Sequence, residues 1–247
     1  MDQQTKAALK QDHFVDATNH GISWASENRR SVITTVSLLL LVIIFVVGGF
    51  VLYNHRAEEA STAFGTAMQA YQTPIAPEGQ PAPPGVKTYP TIVDRAKAAN
   101  AQFLNVANKY GMTPDGKVAL YFAGLTYIEA GQNASAESTL KKVASSWNSD
   151  LASLAKLSLA SLYRQTSRDQ QAIDLYNQLD AKPTSTVPAG LAKLQLAELY
   201  ESEGKSAEAK KVYAQLKDKD AKGPIGLLAA QKLSPAPVAG APGIQAQ

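Results

Sequence analysis

The 247-residue chain contains no cysteine. That absence excludes disulfides, thiol catalysis and zinc–thiolate sites together, and it is compatible with an oxidising compartment. Histidine is scarce too: His13, His20 and His55 are the only three, the first two before the long apolar run and the third directly after it, so none falls within the repeats. A general base there would have to be a carboxylate, and the acidic residues read as solvated helix faces. No glycine-rich phosphate loop or metal-ligand spacing occurs. The sequence therefore predicts no catalytic site, no metal, no cofactor and no small-molecule substrate. Net charge is only +3, with lysines interspersed among Asp and Glu. Without a basic stripe to neutralise phosphates, nucleic acid is not an expected partner. With 45% hydrophobic residues, the chain can still bury a core in one or two domains.

Residues 32–53 form a nearly unbroken apolar run without one charge. At about 1.5 Å per residue a helix of that length crosses the hydrocarbon core of a bilayer. Thr34, Thr35 and Ser37 are tolerable there, because a helix lets hydroxyls bond their own backbone carbonyls. Gly48 and Gly49 suit a membrane helix. A cleaved signal peptide is the alternative. It fits poorly with a long preceding segment, an overlong apolar run and no small-x-small cleavage pattern. The run reads as an uncleaved signal anchor over 31–54. Arg29 and Arg30 precede it, whereas Arg56 after it is followed by Glu58 and Glu59. The positive-inside rule then keeps residues 1–30 cytoplasmic and exports the rest, into the periplasm if the host is a diderm bacterium. This predicts a single-pass protein of the inner (cytoplasmic) membrane. Trp24 and Tyr53 lie near the two ends of the span, where aromatic belts sit.

The exported part contains a repeat. Segments 119–143, 155–179 and 192–216 align without gaps, and in each a tyrosine closes the first helix: Tyr127, Tyr163 and Tyr200, spaced 36 and 37 residues apart. Three residues earlier stands a small residue, Gly124, Ala160 or Ala197. Nine residues later stands an alanine, Ala136, Ala172 or Ala209. A large residue follows (Leu140, Tyr176 or Tyr213), then an aliphatic one (Val143, Leu179 or Leu216). Small residues on facing helices let two axes approach, while the tyrosine and the large residue fill the space to the next pair. Polar turns separate the helices at 131–133, 167–169 and 204–206, with glycine past a helix end as expected punctuation. The small–aromatic–alanine–large pattern resembles the tetratricopeptide repeat, although the first-helix tryptophan of that consensus is absent. The expectation is an all-α chain: one transmembrane helix followed by a tetratricopeptide-repeat helical solenoid over 55–233.

Two further helices are expected upstream, at 58–71 and 91–110, as an atypical leading repeat, since terminal repeats diverge to serve as caps. Between them, residues 73–90 hold six prolines and read as an exposed extended loop. A short closing helix is expected at 224–233. The Ala-, Pro- and Gly-rich tail at 234–247 reads as disordered.

A stacked-helix array builds a concave face that is its usual binding site. On the tetratricopeptide pattern, that face carries Tyr121, Leu125 and Ile128 from the first repeat. The second repeat contributes Leu157, Ser161 and Arg164, and the third Leu194, Glu198 and Glu201. The face is then apolar at one end and charged at the other, suited to an apolar segment or a partner's helix. Alternatively Tyr121, Leu125, Leu157 and Leu194 pack against the chain's own upstream helices, since large exposed apolar patches are unusual. In the N-terminal segment, Phe14, Ala17, Ile22 and Ala25 share one side of a possible helix. It reads either as an interfacial extension of the anchor or as a dock onto a membrane complex.

The whole architecture resembles the YfgM-like family, the ancillary subunit of the SecYEG translocon. The likeness rests on Phe14 and Trp24 in the short segment 12–28, Arg29-Arg30 before one span, and weak repeats after it. Locally it is strongest at 96–110 (AKAANAQFLNVANKY) leading into 119–127 (ALYFAGLTY). The resemblance implies a periplasmic domain that associates with translocon subunits and a membrane-bound periplasmic chaperone and receives exported polypeptides. The proline-rich insertion at 73–90 departs from the compact family pattern. A scaffold that assembles some other envelope complex is the rival reading.

Overall fold

The computed structural model describes residues 28–76, 85 and 87–234. The expectations for the N-terminal segment, for most of the proline-rich loop and for the tail beyond Ser234 lie outside the described residues. Among those described, the chain is all-α, with nine helices. It divides into two compact units, Met1–Arg56 and Ala57–Gln247.

Helix α1, Arg29–Gln72, contains the apolar run and is long and apolar enough to cross a membrane. Its apolar side chains from Ile33 to Tyr53 are exposed, as a lipid-facing surface requires. Thr34 Oγ1 donates to the Arg30 carbonyl at 3.0 Å and Thr35 Oγ1 to that of Ser31 at 2.9 Å, so neither hydroxyl is left unpaired. The expected division between a span at 31–54 and a separate helix from residue 58 corresponds to no break in the backbone. Residues 54–58, Asn-His-Arg-Ala-Glu, contain no proline or glycine to stop a helix.

In the second unit, residues 57–72 of α1 are followed by α2 (Ile92–Tyr110), α3 (Pro114–Glu129), α4 (Asn133–Ala144) and α5 (Ser149–Gln165). Then come α6 (Asp169–Ala181), α7 (Ala189–Ser202), α8 (Ser206–Lys219) and α9 (Pro224–Leu233). Local chemistry sets the boundaries. Thr91 Oγ1 accepts from the Asp94 amide at 3.0 Å, Thr113 Oγ1 from Gly116 at 3.1 Å and Asn148 Oδ1 from Leu151 at 3.0 Å, each satisfying an otherwise orphaned N–H. Pro114 and Pro224 open their helices, where the missing N–H costs nothing. Short connections force successive helices antiparallel. The turns at 130–132, 166–168 and 203–205 therefore share one edge of this unit, and the links at 111–113, 145–148, 182–188 and 220–223 share the other.

The two helices expected upstream are there, as residues 57–72 of α1 and as α2. In α2, Ala99, Phe103 and Val106 reproduce the alanine–large–aliphatic spacing of the later repeats, and all three are buried. Phe103 stacks on Phe122 of α3 at 5.3 Å, and Phe64 and Tyr71 of α1 close around that pair at 5.8–6.1 Å. Such ring pairs add about 0.5–1.5 kcal/mol each beyond the area they bury. Asn100, buried in α2, donates to the Ala123 carbonyl at 2.9 Å and to Thr126 Oγ1 at 3.0 Å, which pins the register of α2 on α3. Two more clusters continue the core, one through α4–α7 and one through α7–α9. The proline-rich loop is gathered at its base by a parallel bridge between Ile75 and Tyr89, where the Ala76 amide reaches the Tyr89 carbonyl at 3.0 Å.

Candidate functional site

Each first helix of the three repeats ends in the same backbone motif. The amides of Gln132, Arg168 and Lys205 donate to the carbonyls of Tyr127, Tyr163 and Tyr200, all at 2.8 Å. The residue before each amide has positive φ: Gly131 at 71°, Ser167 at 56° and Gly204 at 75°. This is a Schellman termination, in which a left-handed residue turns the chain so that the last carbonyls find donors.

The packing residues read from the repeat lie where two helices meet. Ala136, Ala160, Ala172 and Ala197 are fully buried; Tyr163 and Ala209 are nearly so. Gly124 is buried against Leu140: a Cβ at Gly124 would stand 2.6 Å from Leu140 Cδ2, closer than carbon atoms approach. Tyr127 and Tyr200 are half-buried.

The nine candidate face residues divide into groups. Tyr121, Ile128 and Leu157 are half-buried against the central core cluster, and the Tyr121 hydroxyl lies 3.2 Å from Ser158 Oγ in the next first helix. Leu125 and Glu198 are half-exposed, Ser161 and Glu201 are exposed. Leu194 is buried with Ala197, Ala209 and Tyr213 of the last cluster. The apolar character expected of this face is thus largely turned inward, and its open part is polar from Ser161 onward.

That polar part is wired together. Arg164 Nη1 donates to Gln195 Oε1 at 3.3 Å, and Gln195 Nε2 donates to Glu198 Oε2 at 2.9 Å. Ser161, Arg164, Leu199 and Ser202 line an open cleft of about 400 Å³ between α5 and α7. One repeat further on, Glu201 accepts from the Tyr213 hydroxyl at 3.1 Å and from Lys232 Nζ of α9 at 3.0 Å. Lys232 and then the tyrosine hold the Glu201 carboxyl below its ordinary range. Burial, and then this bond, push the Tyr213 hydroxyl upward.

Three features escaped sequence reasoning. Phe122 follows a predicted face residue, yet it enters the four-ring cluster instead. Glu129, at the end of α3, accepts the Tyr71 hydroxyl and lies 3.6 Å from Arg95 Nη2, which ties α1, α2 and α3 together. Burial first, then this carboxylate, push the Tyr71 hydroxyl up to about 12. Trp147, in the link between α4 and α5, is fully exposed. A lone tryptophan in a Ser-Ser-Trp-Asn link was the available signal, but no helical periodicity governs a link.

Residues 23–175 match the family model described as a tetratricopeptide repeat-like domain, and residues 191–222 match that of a tetratricopeptide repeat. No curated protein matches the chain. Two crystal structures of kinesin light chain nearly identical TPR-like repeats from Podosopora anserina are similar to it, at 18% and 17% identity. Each comparison covers 72% of this chain and 84% of that one, with a TM-score of 0.53. At such identity the likeness speaks for the fold alone.

Proposed function

Because the chain belongs to the tetratricopeptide repeat-like domain family, a fold that serves as a protein-interaction module, we propose that it holds protein partners on its first-helix face while anchored by α1. The observation that carries this reading is the set of solvent-accessible side chains on three successive first helices: Leu125, then Ser161 and Arg164, then Glu198 and Glu201. In the finer reading the anchor leaves residues 1–30 in the cytoplasm and the repeats in the periplasm. There the protein acts as a chaperone-like accessory subunit of the Sec translocon, alongside a membrane-bound chaperone, and receives exported polypeptides. Support for the compartment comes from Arg29 and Arg30 before the apolar run. Support for the translocon is the resemblance described above.

A second reading has an observation in its favour. The burial of Leu194 and the half-burial of Tyr121 and Leu157 leave a face suited to polar side chains. Such a face fits a folded partner better than an apolar unfolded segment, as expected of a scaffold for another envelope complex. Photocrosslinking from Leu125 and Ser161 in living cells separates the two. Crosslinks to translocon subunits and to many exported chains support the first; one dominant envelope partner rejects it in favour of the scaffold. Alkaline phosphatase fused after Ser234 tests the orientation, and an inactive fusion overturns it.

A further inference from the structure

A second cleft, about 340 Å³ in volume, opens between the α4–α5 link, the first half of α5 and the end of α6. It shares no lining residue with the cleft between α5 and α7. Ser149, Ala152, Ser153 and Lys156 line it from α5, at the i, i+3, i+4 and i+7 spacing that places them on one side of a helix. Lys182 and Thr184 line it from the α6–α7 link.

Its chemistry is of one sign. Two ammonium groups and several hydroxyls converge on it, and no Asp or Glu does. Neither Lys156 nor Lys182 takes part in an ion pair among the described residues. The acid of the α5 first turn, Asp150, lies beside the cleft lining, accepting from Ser185 Oγ at 2.9 Å and from Thr186, the two residues that follow Thr184. The first turn of α5, with its partial positive charge, borders the cleft.

Ser153 is the most telling residue. It is only 7% exposed, and among the described residues its hydroxyl makes no hydrogen bond. Ser158, further along the same helix, bonds back to the Leu154 carbonyl at 3.0 Å, as a helical serine ordinarily does. Its hydroxyl is not among the buried unpaired polar atoms, so it opens onto the cleft, where a ligand oxygen can take the place of solvent.

We propose that this cleft binds a phosphate-bearing small molecule. A phosphate dianion matches two ammoniums in charge and presents several acceptor oxygens to hydroxyl donors. Ala152 and Leu179 form an apolar wall for a compact organic part. The volume admits a small ligand and excludes a folded partner.

The test is a ³¹P NMR titration of the full chain in maltoside micelles, with inorganic phosphate and glycerol phosphate as probes. Saturable line broadening is expected. It should disappear in the Lys156→Gln/Lys182→Gln variant, persist in Lys156→Arg/Lys182→Arg, and weaken about fivefold in Ser153→Ala. Circular dichroism and Tm should remain unchanged in all three. Broadening that does not saturate overturns the proposal, as does equal broadening in the Gln/Gln variant. Competition by acetate as strong as that by glycerol phosphate also overturns it, because a monoanion would then serve equally well.

Discussion

The Tyr213 hydroxyl donates to the Glu201 carboxylate at 3.1 Å, whereas its counterpart one repeat earlier, Tyr176, meets Arg164 and makes no hydrogen bond. Tyr176 and Tyr213 occupy the same repeat position, as do Arg164 and Glu201. A carboxylate can take the hydroxyl proton, whereas a guanidinium can satisfy a tyrosine only by donating to the phenol oxygen, and Arg164 Nη1 is directed to Gln195 Oε1 instead. The face residue and the direction of its side chain thus separate the bonded tyrosine from the unbonded one. Burial pushes the Tyr176 hydroxyl upward, as it does for Tyr213.

The two tyrosines should therefore respond oppositely to loss of the hydroxyl. Tyr213→Phe removes a bond and should cost about 1 kcal/mol. Tyr176→Phe removes an unsatisfied buried oxygen and should be neutral or stabilising. Urea unfolding of the two variants checks this, and an equal loss in both would contradict the assignment.

Ser167 carries the left-handed conformation that its counterparts Gly131 and Gly204 adopt without a Cβ penalty. Ser167→Gly should stabilise the fold by about 0.5 kcal/mol, the strain relieved exceeding the added freedom of the unfolded chain. Gly204→Ala should destabilise it by about 1 kcal/mol. Thermal melts read both, and opposite signs are the required outcome.

Glu137 of α4 is the most strongly tied carboxylate described. It meets Lys141 Nζ and Arg168 Nη1 at 2.7 Å and the Tyr163 hydroxyl at 3.1 Å, while Arg168 stacks over the Tyr163 ring at 4.3 Å. Lys141 foremost, then Arg168 and Tyr163, pull its carboxyl down to about 2 from an ordinary 4.5. A carboxyl depressed in the folded state stabilises it fully above the unfolded value, and loses that contribution as pH falls through the folded one. The Tm difference between the wild type and Glu137→Gln should be constant above about pH 5 and shrink between pH 4.5 and 2. A difference independent of pH would show that the carboxylate contributes no linked stability.

Gly124 is set by its neighbour. An added methyl would stand 2.6 Å from Leu140 Cδ2, and Leu140 is fully buried, so it cannot swing aside. Gly124→Ala should destabilise by about 1–2 kcal/mol, because overpacking outweighs the gain in helix propensity. Combining it with Leu140→Val should recover part of the loss. Additive losses in the double variant, measured by urea unfolding, would refute the contact.

Much of the fold was legible along the chain. The tyrosines 36 and 37 residues apart, the alanines at fixed offsets and the apolar run before Tyr53 are local patterns, and local patterns set helices, turns and repeat length. The sequence by itself determined an all-α chain with an apolar helix and three repeats in register. Less was legible at the face, because exposure depends on how closely the next helix approaches. Leu157 and Leu194 occupy equivalent repeat positions, yet the α7–α9 cluster buries Leu194 while Leu157 stays half-open. Tertiary structure alone decided that inequality, along with the recruitment of Phe122 into the aromatic cluster and the unpaired hydroxyl of Ser153. In each case the deciding neighbour comes from a different helix, and repeat spacing records nothing about it.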